Sequence, residues 1–275
     1  MRSPIDPDKR FELLQKVGSG DGIESWRVRD RIDGAERLLK RRARGLSLRQ
    51  RFSRAVPIEV RIAARIRHPD LPEPIAWGRT RRWAWWQVRP WLDGIPFDRF
   101  VASGDRDRER TFEGIGQLLA VLGSLHGAGW VHRDVSPRNL LWVPSERRLK
   151  LLDLGHAAPV GARGSLDPRR GGTLGYAAPE QLSGASASVA ADQFAVAAVA
   201  VEQLSGRLPW PAVENGRRFA AWLAEHPPTI DPSSLDLAED RRTRVAALLE
   251  RGLSPDPSSR WPSLALMARE WSALA

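Results

Sequence analysis

Over the first forty residues, apolar and polar positions alternate with a period near two. "FELLQKV" (11–17), "ESWRVRD" (24–30) and "AERLLKR" (35–41) are extended runs separated by the glycine-rich "GSGDG" and the turn "RIDG", a pattern that predicts an antiparallel β-meander. The period then lengthens. Leu48, Phe52, Val56, Val60 and Ala63 or Ala64 fall near helical spacing over 47–67, with Pro57 marking a start or a kink. "PIAWG" and "WAWWQVRPW" predict two strands joined by "RTRR", with Trp83 and Trp85 on one face and Trp86 on the other, all read as packing. From Phe112 onward the text is mostly helical: "FEGIGQLLAVLGSLHGAG", "ADQFAVAAVAVEQLSG", "RRTRVAALLERGL" and "PSLALMAREWSAL" each stop near Gly, Pro or the terminus. A β-rich first third before a helical remainder predicts an α+β protein of two lobes, 1–92 and 93–275, hinged near "RPWLDG". The cleft between such lobes is where a small ligand is expected.

Composition narrows the class. With 275 residues, 42% of them hydrophobic and 28% charged, the chain is globular in character and long enough for two lobes. No cysteine is present, which excludes disulfides and thiolate metal sites. Phe194 to Val201 is the longest membrane-like run, and Glu202 ends it far short of the roughly 20 residues a span requires. No signal-peptide pattern opens the chain, so a cytoplasmic location is expected. Eleven basic residues between Arg37 and Arg67 face only Glu59, and the net charge is +10. This stretch reads as a solvated helix face, and a nucleic-acid partner is not expected.

The chemistry begins at "WVHRDVSPRNLLWV" (130–143), where Asp134 and Asn139 share a short loop between two apolar runs. Asn occurs only at 139 and 215, so His-Arg-Asp-x4-Asn should arise by chance in roughly one such sequence in a few thousand. A carboxylate there can take a proton from a hydroxyl nucleophile, and a carboxamide can offer oxygen to a hard divalent cation. Asp153 ends the apolar "LKLLDLG" and could share that cation.

"HRDVSPRN" and "DLG", the latter with Leu154 where Phe is usual, resemble the catalytic loop and metal-binding motif of eukaryotic-type protein kinases. "GTLGYAAPE" (172–180) is similar to the end of that family's activation segment, and the likeness runs from about Phe11 to Trp271. "DQFAVAAVAVEQLSGRLPW" and "GLSPDPSSRWPS" look most like bacterial Ser/Thr kinases. The resemblance implies a two-lobed kinase fold and γ-phosphate transfer from ATP with Mg²⁺, or Mn²⁺, to a protein hydroxyl. It implies Asp134 as base, Asn139 and Asp153 as metal ligands, Lys40 as the phosphate anchor and Glu59 as the partner holding that lysine. Only four of 43 basic residues are lysine, so a lysine at 40 has a chance of roughly one in eleven. Val17, Gly18, Gly20, Gly22 and Ser25 would lie along the nucleotide, with the Pro90 carbonyl and Leu92 N–H meeting adenine. Asp192, and Glu180 with Arg260, are implied as structural supports. Arg133 would pair with phosphate on Ser165 or Thr173, one of which is the expected autophosphorylation site.

The chain departs from the family at further positions. The third loop glycine would fall at Ile23, Leu38 stands where alanine precedes the lysine, and by the resemblance Arg89 would lie at the back of the adenine pocket. Ser136 replaces a lysine that neutralises the transferring phosphate, which removes transition-state stabilisation. Two alternatives therefore stand beside an active protein kinase: a nucleotide-binding or scaffold pseudokinase, and a small-molecule phosphotransferase.

Overall fold

The computed structural model describes residues 7–20, 22–42, 56–80, 85–99, 108–163 and 173–274. These fall into two compact units, one of Met1–Arg67 with Pro72–Asp93 and one of His68–Leu71 with Gly94–Ala275.

In the first unit, the short helix α1 (Pro7–Arg10) leads into strands β1 (Phe11–Gly20), β2 (Ile23–Asp30) and β3 (Glu36–Arg42). Helix α2 (Ile58–Ala63) follows, then β4 (Ala76–Arg79) and β5 (Trp85–Pro90). The strands form one antiparallel sheet in the order β1-β2-β3-β5-β4. Pro57 caps the start of α2 and does not kink it, since a ring without an N–H is tolerated where no intrahelical donor is needed. The rest of the helix expected over 47–67 and the packing assigned to Trp83 lie largely outside the described residues.

Side chains alternate across the pleat, and the register sorts them. Trp26, Leu39, Val88 and Ala76 are successive cross-strand partners. With Phe11, Val28 and Trp86 they form the apolar core of the sheet. Trp86 is fully buried and meets Phe11 edge-on at 6.0 Å, whereas Trp85 is only half-buried. One residue along, Gly18, Ser25, Lys40 and Gln87 form the neighbouring cross-strand row. A one-residue slip in β3 would exchange Leu39 for Lys40 in the core, so apolar burial fixes the register that presents the lysine.

The second unit holds β6 (Ile95–Pro96), α3 (Arg108–Gly127) and β7 (Trp130–Val131), followed by the hairpin β8 (Leu140–Val143) and β9 (Arg148–Leu151). Strand β10 (Ala158–Pro159) pairs with β7. Helices α4 (Pro179–Leu182), α5 (Val189–Ser205), α6 (Gly216–Glu225), α7 (Glu239–Gly252) and α8 (Leu264–Ser272) complete it. Helix α5 is apolar nearly all round, as a central helix must be, and α3 and α7 pack against it. Trp271 of α8 stacks on Phe112 at 4.2 Å and donates its indole N–H to the Phe112 carbonyl. Helix α6 is absent from the sequence expectations. It starts with glycine and two arginines, and its N-terminus is set by the Asn215 side chain accepting from the Arg217 and Arg218 amides.

The segment His68–Leu71 is anchored by charge. Asp70 is fully buried and takes both Nε and Nη2 of Arg148, the latter at 2.6 Å. Lys150 donates to the Pro69 carbonyl at 2.8 Å, and the Leu151 amide donates to the Asp70 carbonyl. Arg148→Met would leave that carboxylate buried without its cation. Chemical denaturation should show a loss of about 2–3 kcal/mol, since removing one member of a buried pair strands the other.

Candidate functional site

Each unit carries its own cluster of the residues singled out from the sequence. In the first, Lys40 projects from β3 and donates from Nζ to Glu59 Oε1 of α2 at 3.3 Å. Both side chains are largely buried, so the pair holds the ammonium in one position where water competes little. Ser25 lies opposite both Gly18 and Lys40 in the ladder. Gly22 has φ +72°, a left-handed conformation that suits glycine at the turn between β1 and β2. Val17 is half exposed, and a Cβ added at Gly18 or Gly20 would meet nothing within 4 Å. Arg89 pairs in register with Leu38. Pro90 is exposed at the end of β5, and Leu92 is half-buried.

In the second unit, the loop after β7 is fixed by a buried aspartate. Asp192, in the first turn of α5, accepts from the His132 amide at 2.8 Å, the Arg133 amide at 2.8 Å and His126 Nε2 at 2.7 Å. Gln181 of α4 donates to the Arg133 carbonyl at 2.5 Å. Held from both sides, Arg133 adopts φ +72°, which costs an arginine of order 1–2 kcal/mol and persists only because its neighbours determine it. The Asp134 amide donates to His132 Nδ1 at 3.3 Å. With Nδ1 accepting, the ring N–H lies on Nε2, directed at the Leu152 carbonyl at 3.4 Å.

Past the loop, a 3₁₀ turn (Pro137–Asn139) leads into β8. Asn139 Nδ2 donates to both the carbonyl and Oδ2 of Asp134, each at 2.8 Å. The carboxamide is thereby oriented through its nitrogen, leaving an oxygen suited to a hard cation. The Leu152 amide donates to the Asn139 carbonyl at 2.7 Å, so the hairpin brings Asn139 and Asp153 to the same end. Asp153 has φ +47°, and its Oδ1 accepts from the Gly155 amide. Mg²⁺ usually retains waters and uses one or two carboxylates together with substrate phosphates, and this donor set fits such a role. Among the described residues no group of three or more His, Asp or Glu forms a metal cage by itself.

Asp134 Oδ1 accepts from the amide and hydroxyl of Thr173 at 2.9 and 3.1 Å. The Thr173 hydroxyl also lies 3.2 Å from Ser136 Oγ, and Ser136 is fully buried. A neutral hydroxyl therefore stands at the position that the family resemblance gives to a cation. Further along, Tyr176 donates to Glu202 at 2.6 Å. Its phenol is held well above the usual tyrosine range, first by burial and then by that carboxylate, with Arg138 pulling the other way. Glu180 takes a bidentate pair from the buried Arg260 at 2.7 and 2.9 Å. His126 was not singled out from the sequence. Its position in the last turn of α3, facing Asp192, appears only when the helices are packed. Ser165 lies outside the described residues.

This fold and this constellation define a class, and comparison with known proteins names it. A family model described as "Protein kinase domain" matches residues 11–272. The chain belongs to that family. It is 28% identical over 267 residues to the serine/threonine-protein kinase PknA of Mycobacterium tuberculosis, covering 92% of this chain and 58% of that protein. It is 26% identical to PknB of the same species, covering 97% and 43%, and 24% identical to calcium/calmodulin-dependent protein kinase type 1B of Rattus norvegicus, covering 95% and 74%. The chain thus spans little more than half the length of PknA. Among the described residues no helix is long and apolar enough to cross a membrane.

Burial alone would raise the pKa of Asp192, but the bond from His126, the nearby His126 and His132 and the Arg133 amide hold it below the usual aspartate value. Its unfolded counterpart therefore binds a proton first as the solution is acidified. The stabilisation is complete above the ordinary aspartate range and is lost as pH falls through that range and below it. Thermal melts between pH 7 and pH 3 should show Asp192→Asn less stable at neutral pH by about 3 kcal/mol and less sensitive to acid than the parent chain.

Proposed function

We propose that the chain is a serine/threonine protein kinase domain that transfers the γ-phosphate of ATP to a protein hydroxyl with Mg²⁺ or Mn²⁺. The observation that supports this best is the Asp134 carboxylate, oriented by Asn139 on one oxygen and Thr173 on the other, on a loop braced by Asp192. Asp134 would orient the acceptor hydroxyl and take its proton. Asn139 and Asp153 would hold the metal, which neutralises charge on the phosphates. Lys40, steadied by Glu59, would bind the nucleotide phosphates as a compact cation. Val17, Gly18, Gly20, Gly22 and Ser25 would border the nucleotide, and Pro90 and Leu92 would present backbone groups to adenine.

A protein acceptor is preferred to a small alcohol because an ordered segment around Thr173–Glu180 is tied by Glu180 to Arg260 and by Tyr176 to Glu202. The neutral Ser136 beside Thr173 favours one second reading, a nucleotide-binding pseudokinase. Incubation with MgATP and a generic protein substrate separates the two. Transfer that falls by about 10² or more in Asp134→Ala, and is lost in Asp153→Ala, fits the kinase. A thermal shift with MgATP but no transfer fits the pseudokinase.

Of the two expected autophosphorylation sites, the contacts of Thr173 argue against Thr173. Phosphate on Thr173 would place a dianion against the Asp134 carboxylate that its hydroxyl now bonds at 3.1 Å, and like charges at that range repel strongly. Arg133 would then pair with phosphorylated Ser165. Mass spectrometry after incubation with MgATP should find phosphate on Ser165 and none on Thr173; modification of Thr173 alone would overturn this assignment.

A further inference from the structure

The chain leaves β5 as Pro90, Trp91, Leu92 and Asp93, and its backbone anchor there is weak. Pro90 brings no N–H, and the Trp91 amide reaches the Glu36 carbonyl at 3.3 Å, longer than most backbone hydrogen bonds. Side chains make up the difference. The guanidinium carbon of Arg27, on β2, lies 4.7 Å from the centre of the Trp91 ring, and the same guanidinium offers Nε and Nη2 to Glu36 Oε2 at 2.6 and 2.5 Å. The indole N–H of Trp91 in turn donates to Asp93 Oδ1 at 2.9 Å, across Leu92.

These contacts close a circuit. Glu36 holds Arg27 through its carboxylate and Trp91 through its carbonyl, and Arg27 covers the indole. The Arg27 and Glu36 side chains are 34% and 31% exposed, so either contact alone would be a weak surface interaction. Linked in a ring, each contact restricts the freedom that would loosen the others, and the indole and the backbone carrying it take one orientation. Packing does not call for this arrangement. Arg27 lies opposite Leu38 in the ladder, on the face that carries Ser25 and Lys40, and the apolar core of the sheet gathers Trp26 and Trp86 but not Trp91.

The geometry points to Arg27 as a positioning residue for nucleotide recognition. By fixing Trp91 it sets the direction of the Pro90 carbonyl and the Leu92 N–H on either side, the two groups proposed above to meet adenine. This rests on the nucleotide-binding reading of the site. Arg27 acts through Trp91 and does not itself touch the base. An adenine amine donates to a carbonyl while a ring nitrogen accepts from an N–H, and such a pair discriminates between bases only while both backbone groups keep their aim. Arginine suits the task because its planar guanidinium lies flat on an indole while its edge grips a carboxylate, which the ammonium of lysine cannot do.

The test titrates the full chain with MgATP and with the magnesium salt of inosine triphosphate, whose base carries an oxygen in place of the amine. The parent is compared with Arg27→Gln, Arg27→Lys, Trp91→Leu and the double variant Arg27→Gln with Trp91→Leu. Thermal shifts report affinity whether or not the chain transfers phosphate, and KM and kcat are read where it does. Affinity for ATP is expected to fall about 10-fold in Arg27→Gln and about 3-fold in Arg27→Lys, with kcat at saturating ATP near the parent value. Affinity for inosine triphosphate should change by less than about 3-fold, because that base cannot donate to the Pro90 carbonyl. Trp91→Leu should match Arg27→Gln, and the double variant should bind no more weakly than either, since both break one circuit. Equal losses for the two nucleotides, additive losses in the double variant, or an ATP affinity indifferent to Arg27→Gln would each overturn the assignment alone. A parent chain that binds neither nucleotide would remove the nucleotide-binding reading and the role of Arg27 with it.

Discussion

One buried carboxylate sets the geometry of the second unit's cluster. Asp192 receives two consecutive backbone amides, from His132 and Arg133, and a histidine N–H from another helix. An aspartate buried this completely is tolerable only if its charge is answered by several donors. Those donors define where the loop must run. The resulting path forces Arg133 into a left-handed backbone conformation and turns Asp134 toward Asn139 and Thr173. The strain at Arg133 is small beside the cost of leaving Asp192 unpaired, so the loop takes the strained form.

The same principle recurs around the fold. Asp70 with Arg148, Glu180 with Arg260 and Lys40 with Glu59 are paired charges with at least one partner buried or nearly so. Such pairs add little net stability compared with apolar packing, but they tie segments that are distant in the chain into one arrangement. Glu180 and Arg260 are separated by 80 positions, and Asp70 and Arg148 by 78. Apolar burial does the complementary work. The Trp26, Leu39, Val88 and Ala76 row fixes the register of the sheet, and Lys40 is presented because its neighbour Leu39 is buried.

Much of the architecture was legible because its signals are local. The three-strand meander, the two later strands and the four long helices follow from period-two and period-3.6 patterns that a core imposes on any chain. Helix α6 escaped notice because glycine and two arginines open it where acids are favoured; Asn215 and the burial of Phe219 and Leu223 define it instead. Pro57 left a start and a kink equally open, and only the position of Ile58 in a helix resolves it as a start. His126 carries no local signature, since a histidine near a helix end is unremarkable until its partner is known.

By itself, the sequence determined the class of protein: spaced Asp, Asn, Lys and Glu residues of fixed type, and alternation strong enough to specify an α+β chain. Those features depend on side-chain chemistry and on periods of two to four residues, which a string of letters preserves. The tertiary structure alone decided that Thr173 and Asn139 take different oxygens of Asp134, and that Ser136 is buried beside them. Each of these is a matter of which donors reach which acceptors across tens of residues, and such distances exist only after the apolar core has closed and the buried charges have found their partners.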